Sequence, residues 1–304
     1  MSAGLAGLVL LSLAQAPPVF RSTVELVYVD VSVTRKDAPV RDLVADDFVV
    51  TDNGVRQRVE VVDRESMHTT AVLALDLSGS VAGAPLAGLR AAAGAFLGGM
   101  APRDEAALVT FNHEVELRQG PTTVRSAVTD ALERAEARGS TSVLDALYLC
   151  LKRRWGDGRP LVVLFTDGQD TASWLANDDV LQAARESKAL LYIVGTQATG
   201  ARFSLSPSGA RTRVDTSEPD HVYLLHRIAD VTGGAYWSTS LHRLKRVFLQ
   251  VLEAANARYL LSYQPEGVAR PGRHTLKVSV RRKGLEVRAR REYVVPVAAG
   301  RSSP

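Results

Sequence analysis

Four short apolar runs, AVLALDL (71–77), EAALVTF (105–111), PLVVLFTDG (160–168) and ALLYIVG (189–195), alternate with stretches of helical period at 84–100, 122–136, 142–154 and 177–188. A strand that is apolar at nearly every position has to be covered on both faces, and a helix between successive strands returns the chain so that the next strand runs parallel. The pattern therefore calls for a doubly wound, mostly parallel α/β sheet. Further helical patterns at about 220–232 and 241–256 complete its wrap.

The flanks read differently. In VELVYVDVSVT, Val27, Val29, Val31 and Val33 fall on one face and Tyr28, Asp30, Ser32 and Thr34 on the other, as in a half-buried strand. FVVTDNGVRQRVEVV (48–62) shows two strand-like runs around Asn53-Gly54, a pair suited to a type I′ turn. Beyond the α/β region, RYLLSY is followed by HTLKVSV and LEVRAR on either side of a turn near Lys283-Gly284. Neither set has strands enough to bury two faces alone. Their charges are opposite: residues 17–69 hold seven Lys or Arg against ten Asp or Glu, a net −3, and residues 267–304 hold ten against two, a net +8. The two sets are expected to complete one β-sandwich, with the α/β domain inserted between them. The expected organisation is a signal peptide at 1–16, an N-terminal β segment at 17–68, the α/β domain at 69–263, a C-terminal β segment at 264–296 and a tail at 297–304.

RRKGLEVRARR carries the charge to meet an anionic surface or nucleic acid, but Arg281, Arg288 and Arg290 alternate with Val280, Val287 and Ala289. The expectation is a solvated strand face and no nucleic-acid partner. MSAGLAGLVLLSLAQA is a short apolar run closing on Ala14-Gln15-Ala16, the small-x-small form of a cleavage site, so export to the periplasm or cell exterior is expected. The run is too short to span a bilayer, and no transmembrane segment is expected in the mature chain. Cys150 is the one cysteine, which excludes an intrachain disulfide and a cysteine metal site. It falls at an apolar position of SVLDALYLCLKRRW, where a buried small side chain is expected.

In an open parallel sheet, side chains at the carboxyl ends of the strands converge on one crevice. Three groups sit at such places: Asp76-Leu77-Ser78-Gly79-Ser80, then GSTSVLDAL with Thr141 opening a helix, then LFTDGQD with Asp167 ending a strand and Asp170 just beyond. Any one of them could be an ordinary helix cap. Together they offer two carboxylates and three hydroxyls, hard oxygen ligands suited to Mg²⁺ or Mn²⁺ and, less tightly, Ca²⁺.

Asp76-x-Ser78-x-Ser80, Thr141 and Asp167-Gly168 together resemble the metal-ion-dependent adhesion site (MIDAS) of von Willebrand factor type A domains. LVYVDVSVT, DFVVTDNGVRQRVE, IADVTGGAYW, ARYLLSYQP and GLEVRARREYVVP are similar to the bacterial group called VWFA-related domains, so the resemblance covers roughly residues 24–296. The methionine usual after the second serine is Val81 here. The resemblance implies a Mg²⁺ held by Ser78, Ser80 and Thr141, with Asp76 and Asp167 bound directly or through water. It also implies a protein partner whose Asp or Glu fills the remaining position. Electrostatics agree, because two aspartates neutralise a divalent ion while neutral hydroxyls leave it able to attract another carboxylate.

Two other readings stay open at this stage. A strand ending in aspartate also opens the haloacid-dehalogenase type of phosphotransfer site, with Asp76 as nucleophile, but the acid/base position two residues on is Ser78. The chain has no G-x-x-x-x-G-K-[ST], H-E-x-x-H or G-x-S-x-G motif, and His221 and His226 lie five apart, off a common helix face. The other reading is a structural module with an empty metal site. GTQATGARFSLSPSGARTRVDTSEPD (195–220) reads as a long loop at the same sheet edge, either part of the site's rim, where Arg202, Arg211 and Arg213 would help select an acidic partner, or simply a solvated loop.

Overall fold

The computed structural model describes residues 26–36, 38–63, 67–167, 170–196, 220–268 and 271–295. The expected signal peptide at 1–16, the tail at 297–304 and most of the arginine-bearing loop at 195–220 lie outside them. In chain order the N-terminal strands are β1 (Val27–Arg35), β2 (Ala38–Pro39), β3 (Phe48–Asp52), β4 (Val55–Gln57) and β5 (Glu60–Val62). There follow β6 (Thr69–Asp76), α1 (Ala84–Gly99), β7 (Glu105–Phe111), β8 (Val115–Thr122), α2 (Arg125–Glu133), α3 (Val143–Lys152), β9 (Arg159–Thr166), α4 (Asn177–Glu186), β10 (Leu190–Thr196), α5 (Asp220–Val231), β11 (Ala235–Thr239) and α6 (Leu244–Asn256). The last strands are β12 (Tyr259–Tyr263), β13 (Gly272–Val280), β14 (Glu286–Ala289) and β15 (Glu292–Val295).

The apolar runs form the centre of a six-stranded sheet in the order β11-β10-β9-β6-β7-β8. All pairings are parallel except β7 with β8. Every residue of β6 from Thr70 to Asp76 is buried, as a strand covered on both faces must be. One apolar layer joins the sheet to α1, α2 and α6, with Phe96 set edge-on to Phe248 at 6.3 Å. The other joins it to α3, α4 and α5. Cys150 lies in that second layer, fully buried, and burial pushes its thiol up to about 12. The chain turns to opposite sides of β6, reaching β7 on one side and β9 on the other, so the strand order reverses at the carboxyl ends of β6 and β9. That crevice is where side chains are free of the sheet's own packing.

The two edge strands, β8 and β11, went unrecognised in the sequence. VELRQGPT breaks the apolar pattern with Gly120 and Pro121, which an edge strand tolerates because one side of it has no ladder to complete.

Strands from both ends of the chain make the flanking sandwich. One sheet has the order β14-β1-β12-β5, with β2 beside β1, and the other has the order β15-β13-β3-β4. Val29, Val31 and Val33 face inward as the alternation requires and meet Phe48, Val50, Leu261 and Leu276. Asn53 and Gly54 both have positive φ, 47° and 83°, joining β3 to β4 across a two-residue turn. The opposite charges of the flanks meet directly: the Arg282 guanidinium donates to Asp42 at 2.8 Å and to Asp47 at 3.1 Å.

The expected turn near Lys283-Gly284 is present, and β13 and β14 on either side of it enter different sheets. Two expectations are corrected. The domain boundary at 263 falls one strand too late, because RYLLSY, read as a strand beyond the α/β region, is β12 and pairs with β1 and β5 inside the sandwich. Arg281 is exposed, as a solvated face requires, but at Arg288 and Arg290 the basic face meets the α/β domain: Arg288 bonds Asp230 at 2.7 Å, Arg290 donates to the Ser187 carbonyl at 2.6 Å and, beside them, Arg185 bonds Glu292 at 2.7 Å. Burial lowers the pKa of both Arg288 and Arg290. Gly233 (φ 82°) makes this approach possible, since a Cβ there would lie 2.7 Å from the Arg290 nitrogen.

Deleting residues 264–304 removes β13, β14 and β15 and exposes the inner faces of β1 and β3. Amide exchange in residues 27–34 should then accelerate toward the unfolded rate. Native protection there in the truncated chain would mean that the N-terminal strands stand without their partners.

Candidate functional site

The site grows out of the end of β6. Asp76 is the strand's last residue, fully buried; its Oδ1 accepts from the Ser78 backbone N–H at 2.9 Å and its Oδ2 from the Thr166 hydroxyl at 2.7 Å. Leu77 enters the core, and a single 3-10 turn over Gly79–Val81 brings Ser80 back beside Ser78. Ser78 Oγ lies 3.1 Å from Ser80 Oγ, and Ser80 Oγ donates to Asp167 Oδ1 at 3.1 Å. A chain of hydrogen bonds thus carries β6's oxygens across to the end of β9.

Thr141 reaches the cluster through the backbone. The Gly79 N–H donates to the Gly139 carbonyl at 2.9 Å, and the Arg138 N–H to the Leu77 carbonyl at 2.8 Å. Thr141 is two residues on, at most about 7 Å of chain. Gly139 is a glycine for two reasons: its φ is 76°, and a Cβ would meet His113 Nδ1 at 2.5 Å. From the other side the Thr141 N–H donates to Thr171 Oγ1 at 3.0 Å, while its carbonyl accepts from the N–H groups of Thr171 at 2.8 Å and Ala172 at 3.0 Å.

The donors are graded in depth: Asp76, Ser78 and Thr141 are buried, Asp167 is half-buried and Ser80 is exposed, so the linked oxygens of Asp76, Ser78, Ser80 and Asp167 run from the core to the surface, forming a cradle beside the loop of Thr141. Burial raises the Asp76 carboxyl above its ordinary pKa, and the charge of Asp167 adds to the rise, against hydrogen bonds from Ser78 and Thr166 that lower it. Among the described residues neither Asp76 nor Asp167 is in an ion pair. Two carboxylates linked through Ser78 and Ser80, neither ion-paired among the described residues, bring negative charge to one place. The donor set, two carboxylates and three hydroxyls, fits a hard divalent cation, and among the described residues no group of three His, Cys, Asp or Glu side chains offers a softer alternative.

Asp170, grouped with Asp167 in the sequence, has a different task. Its Oδ1 accepts from the Val143 N–H at 2.8 Å and from the Ser173 hydroxyl at 2.5 Å, so it serves the first turn of α3. Thr166, which orients Asp76, was not singled out in the sequence; its signal was a hydroxyl directly before Asp167 at the end of an otherwise apolar strand. His226 rests against Tyr236 with ring centroids 4.4 Å apart, and burial lowers its pKa.

Residues 71–169 match the sequence model of the von Willebrand factor type A domain. No curated protein matches the chain. Among solved structures, proximal thread matrix protein 1 from the mussel byssus superimposes with TM-score 0.50 at 15% identity over 65% of this chain and 48% of its own. The chain therefore spans about half the length of that protein. A von Willebrand factor type A protein from Catenulispora acidiphila gives TM-score 0.49 at 11% identity over 91% of this chain and 75% of its own. BatB from Bacteroides thetaiotaomicron gives 0.46 at 15% identity over 62% of this chain and 99% of its own. At these identities the likeness is one of fold. The mussel protein has also been solved with its MIDAS motif occupied by zinc.

Proposed function

We propose that this chain, whose residues 71–169 are a von Willebrand factor type A domain, binds a protein partner through a divalent cation held by Asp76, Ser78, Ser80, Thr141 and Asp167. The observation that carries the reading is the pair of carboxylates, one wholly buried, linked through Ser78 and Ser80 and neither balanced by an ion pair among the described residues. A bound Mg²⁺ or Mn²⁺ would supply that balance and a Lewis-acidic position for an Asp or Glu side chain of the partner. The protein's own part is to hold the oxygens: Thr166 and the Ser78 amide fix Asp76, and the links from Gly79 to Gly139 and from Thr141 to Thr171 fix the loops that carry the hydroxyls.

Phosphotransfer with Asp76 as nucleophile fits less well, because the position two residues on, where that chemistry places a carboxyl acid/base, is Ser78, whose hydroxyl lies against Ser80. An extracytoplasmic location agrees with the export-like composition of residues 1–16, and none of the described helices is long and apolar enough to cross a membrane.

Calorimetric titration with Mg²⁺ and Mn²⁺ tests the reading. One cation should bind per chain, and Thr141→Ala should weaken it by about tenfold, since the deletion takes a neutral ligand that water can replace. Absence of binding by the wild-type chain would leave the structural-module reading in its place.

A further inference from the structure

The largest apolar side chain left to solvent in the described structure stands beside the candidate cation site. Trp174 is 95% exposed, whereas Trp155 and Trp237 are 3% and 9% exposed. An indole buries much of its surface in most folded chains, because few side chains have more apolar area to withdraw from water.

The loop that presents Trp174 is fixed along its length. Thr171 is bonded to Thr141 in both directions, through its hydroxyl and its amide. Ser173 Oγ accepts from the N–H groups of Leu144 at 3.1 Å and Asp145 at 3.2 Å. The Trp174 N–H donates to the Asp145 carboxylate at 3.1 Å, and the Leu175 N–H to the same carboxylate at 3.1 Å. Residues 171–175 are thus clamped onto the first turn of α3, the helix that Thr141 leads into. Trp174 lies three residues from Thr171, at most about 11 Å of chain from the residue that bonds Thr141.

A rigid backbone that holds a bare indole has prepaid most of the entropy of ordering it, and such aromatic anchors dominate the energetics of protein interfaces. The neighbouring polar groups are turned inward. Asp170, Ser173 and Asp145 direct their oxygens at amides of α3 and of the loop itself, so little beside the ring is disposed to meet the hydroxyls of a sugar. An apolar side chain of a protein is the occupant that this surface fits.

We propose that Trp174 is a partner-contact residue of the cation site, packing on an apolar side chain that lies next to the carboxylate donated by the partner protein. The proposal rests on the cation-dependent reading above and adds to it the second half of the recognised feature: a carboxylate with an apolar neighbour.

The test uses a displayed library of short peptides, each with one fixed aspartate, selected on the full chain in Mg²⁺ and eluted with chelator. Selected peptides should carry an aliphatic or aromatic residue beside the aspartate. Trp174→Ala should weaken them by about tenfold or more, and Trp174→Phe by no more than about threefold. Mg²⁺ affinity measured without peptide should be unchanged in both variants. Binding should also shield the tryptophan emission that acrylamide quenches, which comes from Trp174 because the other two rings are buried. If the chain binds Mg²⁺ and its chelator-sensitive peptides bind Trp174→Ala as tightly as wild type, the contact is refuted while the cation site stands. Absence of Mg²⁺ binding, or peptides retained in chelator, would overturn the cation reading and this proposal with it.

Discussion

Replacing Asp76 with alanine is expected to lower divalent-cation affinity by at least about a hundredfold, since residues that only orient a metal's ligands are already worth about 10–100-fold. The substitution removes one of two compensating carboxylates and, with it, the acceptor that aligns the Ser78 amide and the Thr166 hydroxyl. The fold itself should persist. β6 is held between two apolar layers and by neighbours on both sides, and none of that packing passes through the carboxylate. In chelator two effects oppose each other: two hydrogen-bond donors lose their acceptor, but a buried carboxyl that resists ionisation is gone. The net change in stability should stay within about 1–2 kcal/mol. Thermal melting separates binding from folding. Mg²⁺ at about 100 times its Kd stabilises a chain by about 2.7 kcal/mol, roughly 5–10 °C for a domain of this size. The wild type should show that rise and Asp76→Ala none; an equal rise in both would remove Asp76 from the cation site.

How far such a site can be read from sequence depends on how its members are joined. The parallel sheet was legible because continuous apolar runs have few other solutions, and β6, β7, β9 and β10 lie where those runs lie. Asp76, Ser78 and Ser80 could be grouped because they follow one another closely past a strand end, although what brings Ser80 to Ser78 is the 3-10 turn over Gly79–Val81, which alternation does not foresee. Asp167 and Thr141 joined them through the reversal of strand order, a rule of topology. What stayed hidden were pairings with no local pattern. Tyr259–Tyr263 looks like any short strand, and only its register with Val27–Val31, more than two hundred residues away, places it in the sandwich. Alternation predicted a wet face for Arg288 and Arg290, but it cannot say that a neighbouring domain supplies Asp230 and the Ser187 carbonyl to meet them. Asp52, directly before Asn53-Gly54, and His274 belong to no sequence motif, and nothing local marks them as partners across 222 residues.

Those last two residues carry the other large effect. Asp52 is fully buried, and its carboxylate joins the sandwich's two sheets: Oδ1 lies 2.8 Å from His274 Nδ1, and Oδ2 accepts from the hydroxyls of Tyr263 at 2.9 Å and Tyr293 at 2.7 Å. The His274 and Tyr293 rings stack with centroids 4.5 Å apart, which leaves no room for water between them. Burial, and then the hydrogen bond with Tyr293, drives the Tyr263 hydroxyl well above its ordinary pKa, so it remains a donor. Asp52→Ala strands up to three buried polar groups at once, and removing one member of a buried charged network costs about 3–5 kcal/mol. Asp52→Asn keeps an acceptor for the tyrosines and should recover about half of that loss. Urea unfolding of the three proteins measures the series, and an unfolding free energy for Asp52→Ala within about 1 kcal/mol of wild type would mean that water already serves these groups. Because the network lies in the sandwich and the cradle lies at the ends of β6 and β9, Asp52→Ala should still bind Mg²⁺ with wild-type affinity below its melting temperature. Asp76→Ala should show the converse, near-normal stability without the cation. If either substitution instead weakens both properties, the two domains act as one cooperative unit, coupled through Arg185, Arg288 and Arg290.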